Sequence, residues 1–301
     1  MKRILALTVA AIMLTACSGG AEPTPETNEQ AVSLNIDAPK VTLLSAGEGD
    51  QAVIKYQDAG ASQQVAVTFT DGFDQGTGED DTLPKDPPET LTTDTFTTSI
   101  DATVSEQSPR DITLKLGQPE HSNPSYANDV ASVQGFELGW VAKPSGQVDT
   151  VRLAAPSGAT DQGRSLAELY LMKLLAQPIV FPTEPIAPGA TWTVDNRVTG
   201  DSTMLRTTTY TLDSLRDGVA ELSLTATERP AVGALALSEL GENAELKVVS
   251  SRSHGVGKLR IDLSKPLPTA GDVTLNTRVM YGEDGKSARV FQDFNSSARF
   301  S

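Results

Sequence analysis

The chain reads as a mainly β protein, a strongly curved, half-barrel-like antiparallel sheet wrapping one central helix. Three observations point there. Apolar and polar residues alternate strictly along many short stretches in both halves of the chain. Alternation of period two is the mark of a sheet with one buried and one solvated face, whereas parallel strands buried on both faces give continuous apolar runs. Only one long segment departs from that period, and its apolar side chains surround a helical axis almost completely. A helix of that kind needs partners on several sides, and a curved sheet supplies them where a flat one leaves a side wet. Both halves also hold enough short strands for two β-sandwich domains joined through the helix, which is the alternative.

The N-terminus is an address. Lys2 and Arg3 precede an apolar run from Ile4 to Ala16, which is signal-peptide length and too short to span a bilayer. Leu14-Thr15-Ala16-Cys17 closes that run. A small residue before a cysteine, with leucine three positions upstream, resembles the bacterial lipobox. The resemblance implies a signal peptide over 1–16 and diacylglycerol on the Cys17 thiol. Two acyl chains hold a protein on a membrane where one does not, each buried methylene contributing about 0.8 kcal/mol. Residues 17–38 then form the lipidated cysteine and a tether. Its first part, Ser18 to Gln30, is small, polar and proline-containing, with almost nothing to bury. The β-rich body spans 39–301.

Composition excludes several classes. Cys17 is the single cysteine, so the exported part has no thiol for a disulfide, a cysteine-based zinc site or a nucleophile. The formal net charge of −15 argues against nucleic acid and against adhesion to anionic headgroups.

Strands follow in order. Val65, Val67 and Phe69 alternate with Ala66, Thr68 and Thr70; Phe96, Ile100, Ala102 and Val104 share a period of two; Ile112, Leu114 and Leu116 follow. The second half repeats the pattern in Ala220, Leu222 and Leu224, in Leu259, Ile261 and Leu263, and in Val273, Leu275, Val279 and Tyr281. Asp217-Gly218 and Asp284-Gly285 fall between such runs as hairpin turns, because glycine tolerates the positive φ of tight turns. Residues 71–90 are acidic and rich in glycine and proline, which predicts a mobile loop; the ligand order of an EF-hand is missing from it. Residues 230–244 predict a loop or short helix at the sheet edge.

The helix is expected over Ser165–Gln177. Ser165-x-x-Glu168 reads as a capping box and Pro178 as the stop. Leu166, Leu169, Tyr170, Leu171 and Leu174 are the side chains expected to line any space between helix and sheet, with Trp192 closing one end.

No catalytic constellation is visible. The two histidines, His121 and His254, have no second histidine at metal-ligand spacing. Ser253 and His254 are adjacent in a strand-like stretch, where neighbouring side chains point to opposite faces. Gly255-x-Gly257 is followed by strand-forming residues rather than a helix, unlike a phosphate loop. No enzyme, metal or cofactor is therefore expected. Trp140 and Trp192 read as core anchors before sugar platforms.

Three stretches, VTLLSAGEGDQAVIKYQDAG at 41–60, FPTEPIAPGATWTV at 181–194 and GVGKLRIDLSKPLPTAGDV at 255–273, resemble a family of exported actinobacterial proteins, mostly lipoproteins, with a β-rich domain of unassigned function. Pro182, Pro185, Gly189 and Trp192, in order after the helix, are the most specific part. The resemblance implies an extracytoplasmic β-rich domain and no catalytic residues. In shape alone, the expected architecture is similar to the half-barrel of periplasmic lipoprotein carriers. Together these readings give a membrane-anchored envelope lipoprotein that binds an apolar or lipid ligand between sheet and helix. The alternative is a non-enzymatic envelope scaffold or protein-interaction module, its partner unknown, presenting the acidic 71–90 segment.

Overall fold

A computed structural model describes residues 28–107, 110–198, 203–236 and 245–301. The signal run, Cys17 and most of the tether lie outside the described residues, as do Leu237 and Leu240 of the 230–244 segment.

The first half contributes β1 (Val32–Asn35), β2 (Lys40–Ser45), β3 (Ser62–Glu79), β4 (Asp94–Val104), β5 (Asp111–Leu116) and β6 (Glu120–His121). A short helix α1 (Ala127–Ala131), strands β7 (Glu137–Ala142) and β8 (Val148–Ala154), and the long helix α2 (Asp161–Ala176) follow. The second half is all strand: β9 (Thr191–Val198), β10 (Met204–Arg216), β11 (Val219–Pro230), β12 (Ala234–Ala236), β13 (Glu245–Asp262), β14 (Ala270–Gly282) and β15 (Ala288–Phe300). All join one antiparallel sheet in the order β1-β8-β7-β5-β4-β3-β15-β14-β13-β11-β10-β9-β2, with β12 on β13 and β6 on β4. The ladder from Val67↔Phe300 to Glu79↔Ala288 runs without a register break and welds the two halves into one sheet. One continuous sheet thus replaces the two-sandwich alternative.

The sheet must bend, because α2 touches strands far apart in it. Tyr170 stacks on Phe96 of β4, ring centroids 4.8 Å apart, and on Phe69 of β3. At the other side, Arg206 of β10 donates from Nη1 to the Ala176 carbonyl at 2.9 Å. A flat sheet with strands about 4.8 Å apart cannot bring β4 and β10 to one helix. The two edges also approach one another. β1 and β2 stand at opposite ends of the order, yet only Ile36–Pro39 separates them in the chain. Five Cα steps reach at most ~18 Å, so the edges face each other across a narrow seam bridged by this four-residue strap. The sheet is not closed into a barrel.

Alternation matches burial. Val65, Val67, Phe69, Phe96, Ile100, Ile112, Leu114, Leu222, Ile261 and Val279 are all buried, in one main core with a small satellite cluster around Val279 and Tyr281. Asp217 and Gly218, both with positive φ, make the two-residue β10–β11 turn that the sequence predicts. Asp284-Gly285 sits in a longer turn, with Gly285 alone of the pair in the left-handed region.

Three local expectations are corrected. Residues 71–79 are strand, not loop: they extend β3 and pair with β15 through Ala288↔Glu79. Arginines tie down the rest of the insertion, Arg289 on Asp80, Arg252 on Asp86 and Arg278 on the Pro84 carbonyl. Asp80 and Asp86 are thereby paired with cations from other strands, which composition does not reveal. Helix α2 begins one turn earlier than predicted, capped by Thr160, whose Oγ1 accepts from the Gly163 N–H at 3.0 Å. Ser165 instead lies inside the helix and donates back to the Asp161 carbonyl. In the 230–244 segment Pro230 closes β11, 231–233 are irregular as expected, and Ala234–Ala236 form the short strand β12 where a loop or short helix was expected.

Candidate functional site

The C-terminal end of α2 is fixed by the sheet on one side and left open on the other. Pro178 stops the helix, and its orphan carbonyls need donors. Arg206 donates to the Ala176 carbonyl, with its Nε on Glu228 at 2.7 Å; Asn196 Nδ2 donates to the same carbonyl at 3.3 Å. A cation there also complements the helix dipole. Tyr210 Oη then donates to Pro178 O, and Trp192 Nε1 to Val180 O at 2.9 Å. The segment after the helix is thereby pinned to β9 and β10.

Beside it lies a cleft of about 110 Å³. Its walls are Leu174, Leu175, Pro178 and Ile179 at the helix end, Trp140 and Val148 from β7 and β8, Leu267 and Phe300 opposite, and Ile36 and Pro39 of the strap. The cleft therefore opens at the seam where the sheet fails to close.

Its polar groups are few and underused. Arg110 lies at the wall, 4% exposed, in the left-handed backbone region at φ 65. An arginine at positive φ is strained, and such strain gathers at binding sites. Its Nη1 donates to Asp58 Oδ2 at 2.5 Å and its guanidinium lies 3.8 Å over the Tyr56 ring, but its buried Nε has no hydrogen-bond partner. Burial pushes the Asp58 carboxyl up, against the pull of Arg110. Burial also pushes the Tyr56 phenol up to about 12, so it stays protonated. Gln177 Nε2 and Asn196 Oδ1, on two further residues of the cleft wall, are likewise buried and make no well-formed hydrogen bond with a described residue, although the Gln177 amide lies near enough to the Tyr210 phenol to favour its ionised form. Buried polar atoms are nearly always satisfied, so two donors and an acceptor without partners around one apolar cleft suit a ligand with polar groups of its own.

Of the side chains the sequence nominated, Leu174 borders the cleft. Leu166, Tyr170, Leu171 and Trp192 are buried in the packed core, and Leu169 is 39% exposed on the helix's outer side. Trp192 stacks on Tyr210 rather than closing a pocket. Trp140, read from sequence as a core anchor, is mostly buried but also borders the cleft. His121 belongs to the core side: the Asn123 N–H donates to its Nδ1, which leaves Nε2 to donate to Tyr170 Oη at 3.2 Å. On β13, Ser253 bonds Glu228 and Thr277 while His254 is exposed on the opposite face. Sequence reasoning missed Arg110, Gln177, Asn196 and the strap. A buried arginine carries no spacing signature, and a seam exists only once the sheet has curled.

Residues 176–265 match the model of a family of unknown function, DUF6263. The match begins at the last residue of α2 and takes in β9 to β13, which form one side of the seam. No curated protein matches the chain. Among solved structures, it aligns with the binding domain of botulinum neurotoxin serotype C1 at 8% identity, covering 90% of each chain, with a TM-score of 0.09. A second alignment is to a structure described by the interaction of botulinum neurotoxin type C with two ganglioside molecules: 8% identity, 85% of this chain and 88% of that one, TM-score 0.10.

Proposed function

We propose that this chain is a non-enzymatic binding protein of the cell envelope, held on the outer side of the membrane by acylation of Cys17, which takes an apolar ligand in the cleft at the seam. The observation that carries the reading is the cleft itself: apolar walls between helix and sheet, at the place where the barrel stays open, with Arg110 Nε, Gln177 Nε2 and Asn196 Oδ1 lacking partners around it. A ligand in that space would bury the apolar walls and give those atoms partners. The anchor rests on the lipobox-like Leu14-Thr15-Ala16-Cys17. Among the described residues no helix is long and apolar enough to cross a membrane.

Native mass spectrometry of the protein extracted gently from its host membrane tests the reading. A bound apolar mass is expected in the wild type and is expected to be lost in Leu174→Trp, which fills the cleft. A ligand-free wild type overturns the carrier. Labelling with a radioactive fatty acid tests the anchor separately: the label is expected on the wild type and not on Cys17→Ala.

A further inference from the structure

We infer that the ligand is an anionic single-chain amphiphile, its chain end in the cleft and its head group outside the seam on Arg197, Lys40 and Arg229. This rests on the cleft reading above and adds to it the chemical class of the ligand.

The seam has a free edge. β2 begins at Lys40, which pairs with Asp195, so Asn196, Arg197 and Val198 of β9 have no strand beside them on that side. Their edge faces the strap. At this edge lies a second groove of about 650 Å³, lined mostly by polar side chains from both faces of the sheet. It shares Asp37, Asn196 and Arg197 with the apolar cleft, so the two spaces meet at the seam.

Strand register places cations along this groove. Arg197 pairs with Leu205 and Leu205 with Arg229, which puts the two arginines on one face, about 10 Å apart across two strand spacings. Lys40 lies opposite Asp195, two residues along β9 from Arg197. Trp192 and Val194 of the same strand are buried while Arg197 is exposed, so this is the outer face. None of the three cations forms an ion pair with a described residue. Arg206 pairs with Glu228, while Asp195 accepts from Thr207 Oγ1 and keeps its charge, so the groove's Lys40, Arg197, Arg206 and Arg229 outnumber its carboxylates Asp37, Asp195 and Glu228 by one. Asp37 stands on the strap. In a chain of net charge −15, a local excess of cations at the mouth of an apolar cleft suits an anionic head.

Volume sets the rest of the ligand. About 110 Å³ is less than the ~150 Å³ void that accommodates benzene, so the cleft takes the end of one chain rather than two chains side by side. The larger groove is left for the remainder of the molecule and its head.

The test uses submicellar dodecanoate and 1-dodecanol at pH 8, where the acid is ionised, with the fluorescence of Trp140 at the cleft wall as readout. Dodecanoate is expected to bind roughly tenfold more tightly than the alcohol, as three partly screened charge contacts together allow, and to lose that advantage as salt rises. Arg197→Glu and Arg229→Glu, both exposed, are each expected to remove the preference, and Arg229→Glu, which does not line the apolar cleft, to leave dodecanol affinity unchanged. Leu174→Trp is expected to abolish both. Equal binding of acid and alcohol by the wild type, or a preference that survives both arginine variants, overturns the head-group assignment and leaves the cleft reading standing. Binding of neither amphiphile overturns both.

Discussion

The two ends of helix α2 do different work with similar residues. At its N-terminal end the helix is sealed. Gly163 lies so close to α1 that an added Cβ would collide with the Asp129 carbonyl, and Leu166, Ala167, Tyr170 and Leu171 are buried. Tyr170 is stacked between Phe96 and Phe69 and accepts from His121. At its C-terminal end Leu174 and Leu175 are only half-buried, Lys173 reaches Asp71 and Ser296 on β3 and β15, and the cleft begins. One apolar helix thus plugs the sheet where strands surround it and forms a wall where they do not. The difference lies in the sheet around it, since leucines occur along the helix on both sides of its midpoint, at 166, 169, 171, 174 and 175.

Substitutions at the two ends should differ accordingly. Tyr170→Ala removes a fully packed ring, and urea unfolding should show a loss of about 3–5 kcal/mol. Gly163→Ala should cost about 1–3 kcal/mol in the same measurement, because α1 and α2 must separate; a neutral result would show that the sealed end is looser than its geometry. Leu174→Ala should cost only about 1 kcal/mol, since a half-buried side chain beside an existing space leaves little new cavity. If its cost equals that of Leu171→Ala, the contrast between the ends fails. The smallest effect belongs to the turn leading into the Pro266–Pro268 wall of the cleft. There Asp262 accepts from the Ser264 N–H and Oγ, which hold its carboxyl below the usual range. A carboxyl lowered in the folded state stabilises above its unfolded value near 4 and loses that contribution as pH falls through the folded value. Asp262→Ala should therefore cost, after solvent screening, about 0.5 kcal/mol at pH 7 and nothing near pH 2, read from melting curves at the two pH values.

Much of the architecture was legible. Period-two burial in β3, β4, β5, β11, β13 and the first half of β14 falls on the residues the alternation marked, because a strand's faces are set by its own sequence, while the second half of β14 is buried on both faces. The helix was found through its apolar surround, though its start was misplaced: Ser165-x-x-Glu168 imitates a capping box, while Thr160 caps through Gly163, a residue with no capping side chain. The 71–79 stretch read as loop because glycines and carboxylates disfavour strands on average. Pairing with β15 overrode that preference. The site was far less legible. Only Leu174 among the nominated residues reaches the cleft, because helical periodicity tells which residues are apolar and not which neighbours a curved sheet provides.

By itself, the sequence determined an antiparallel β body around one apolar helix, free of disulfides and strongly acidic, because these follow from local periodicity and composition. Tertiary structure alone decided where the sheet fails to close, and therefore which end of the helix is core and which is cleft. It also decided that Arg110, Gln177 and Asn196 gather there with unpaired atoms. Curvature is a sum of small twists over many strands, and no single stretch of chain encodes where its two edges meet.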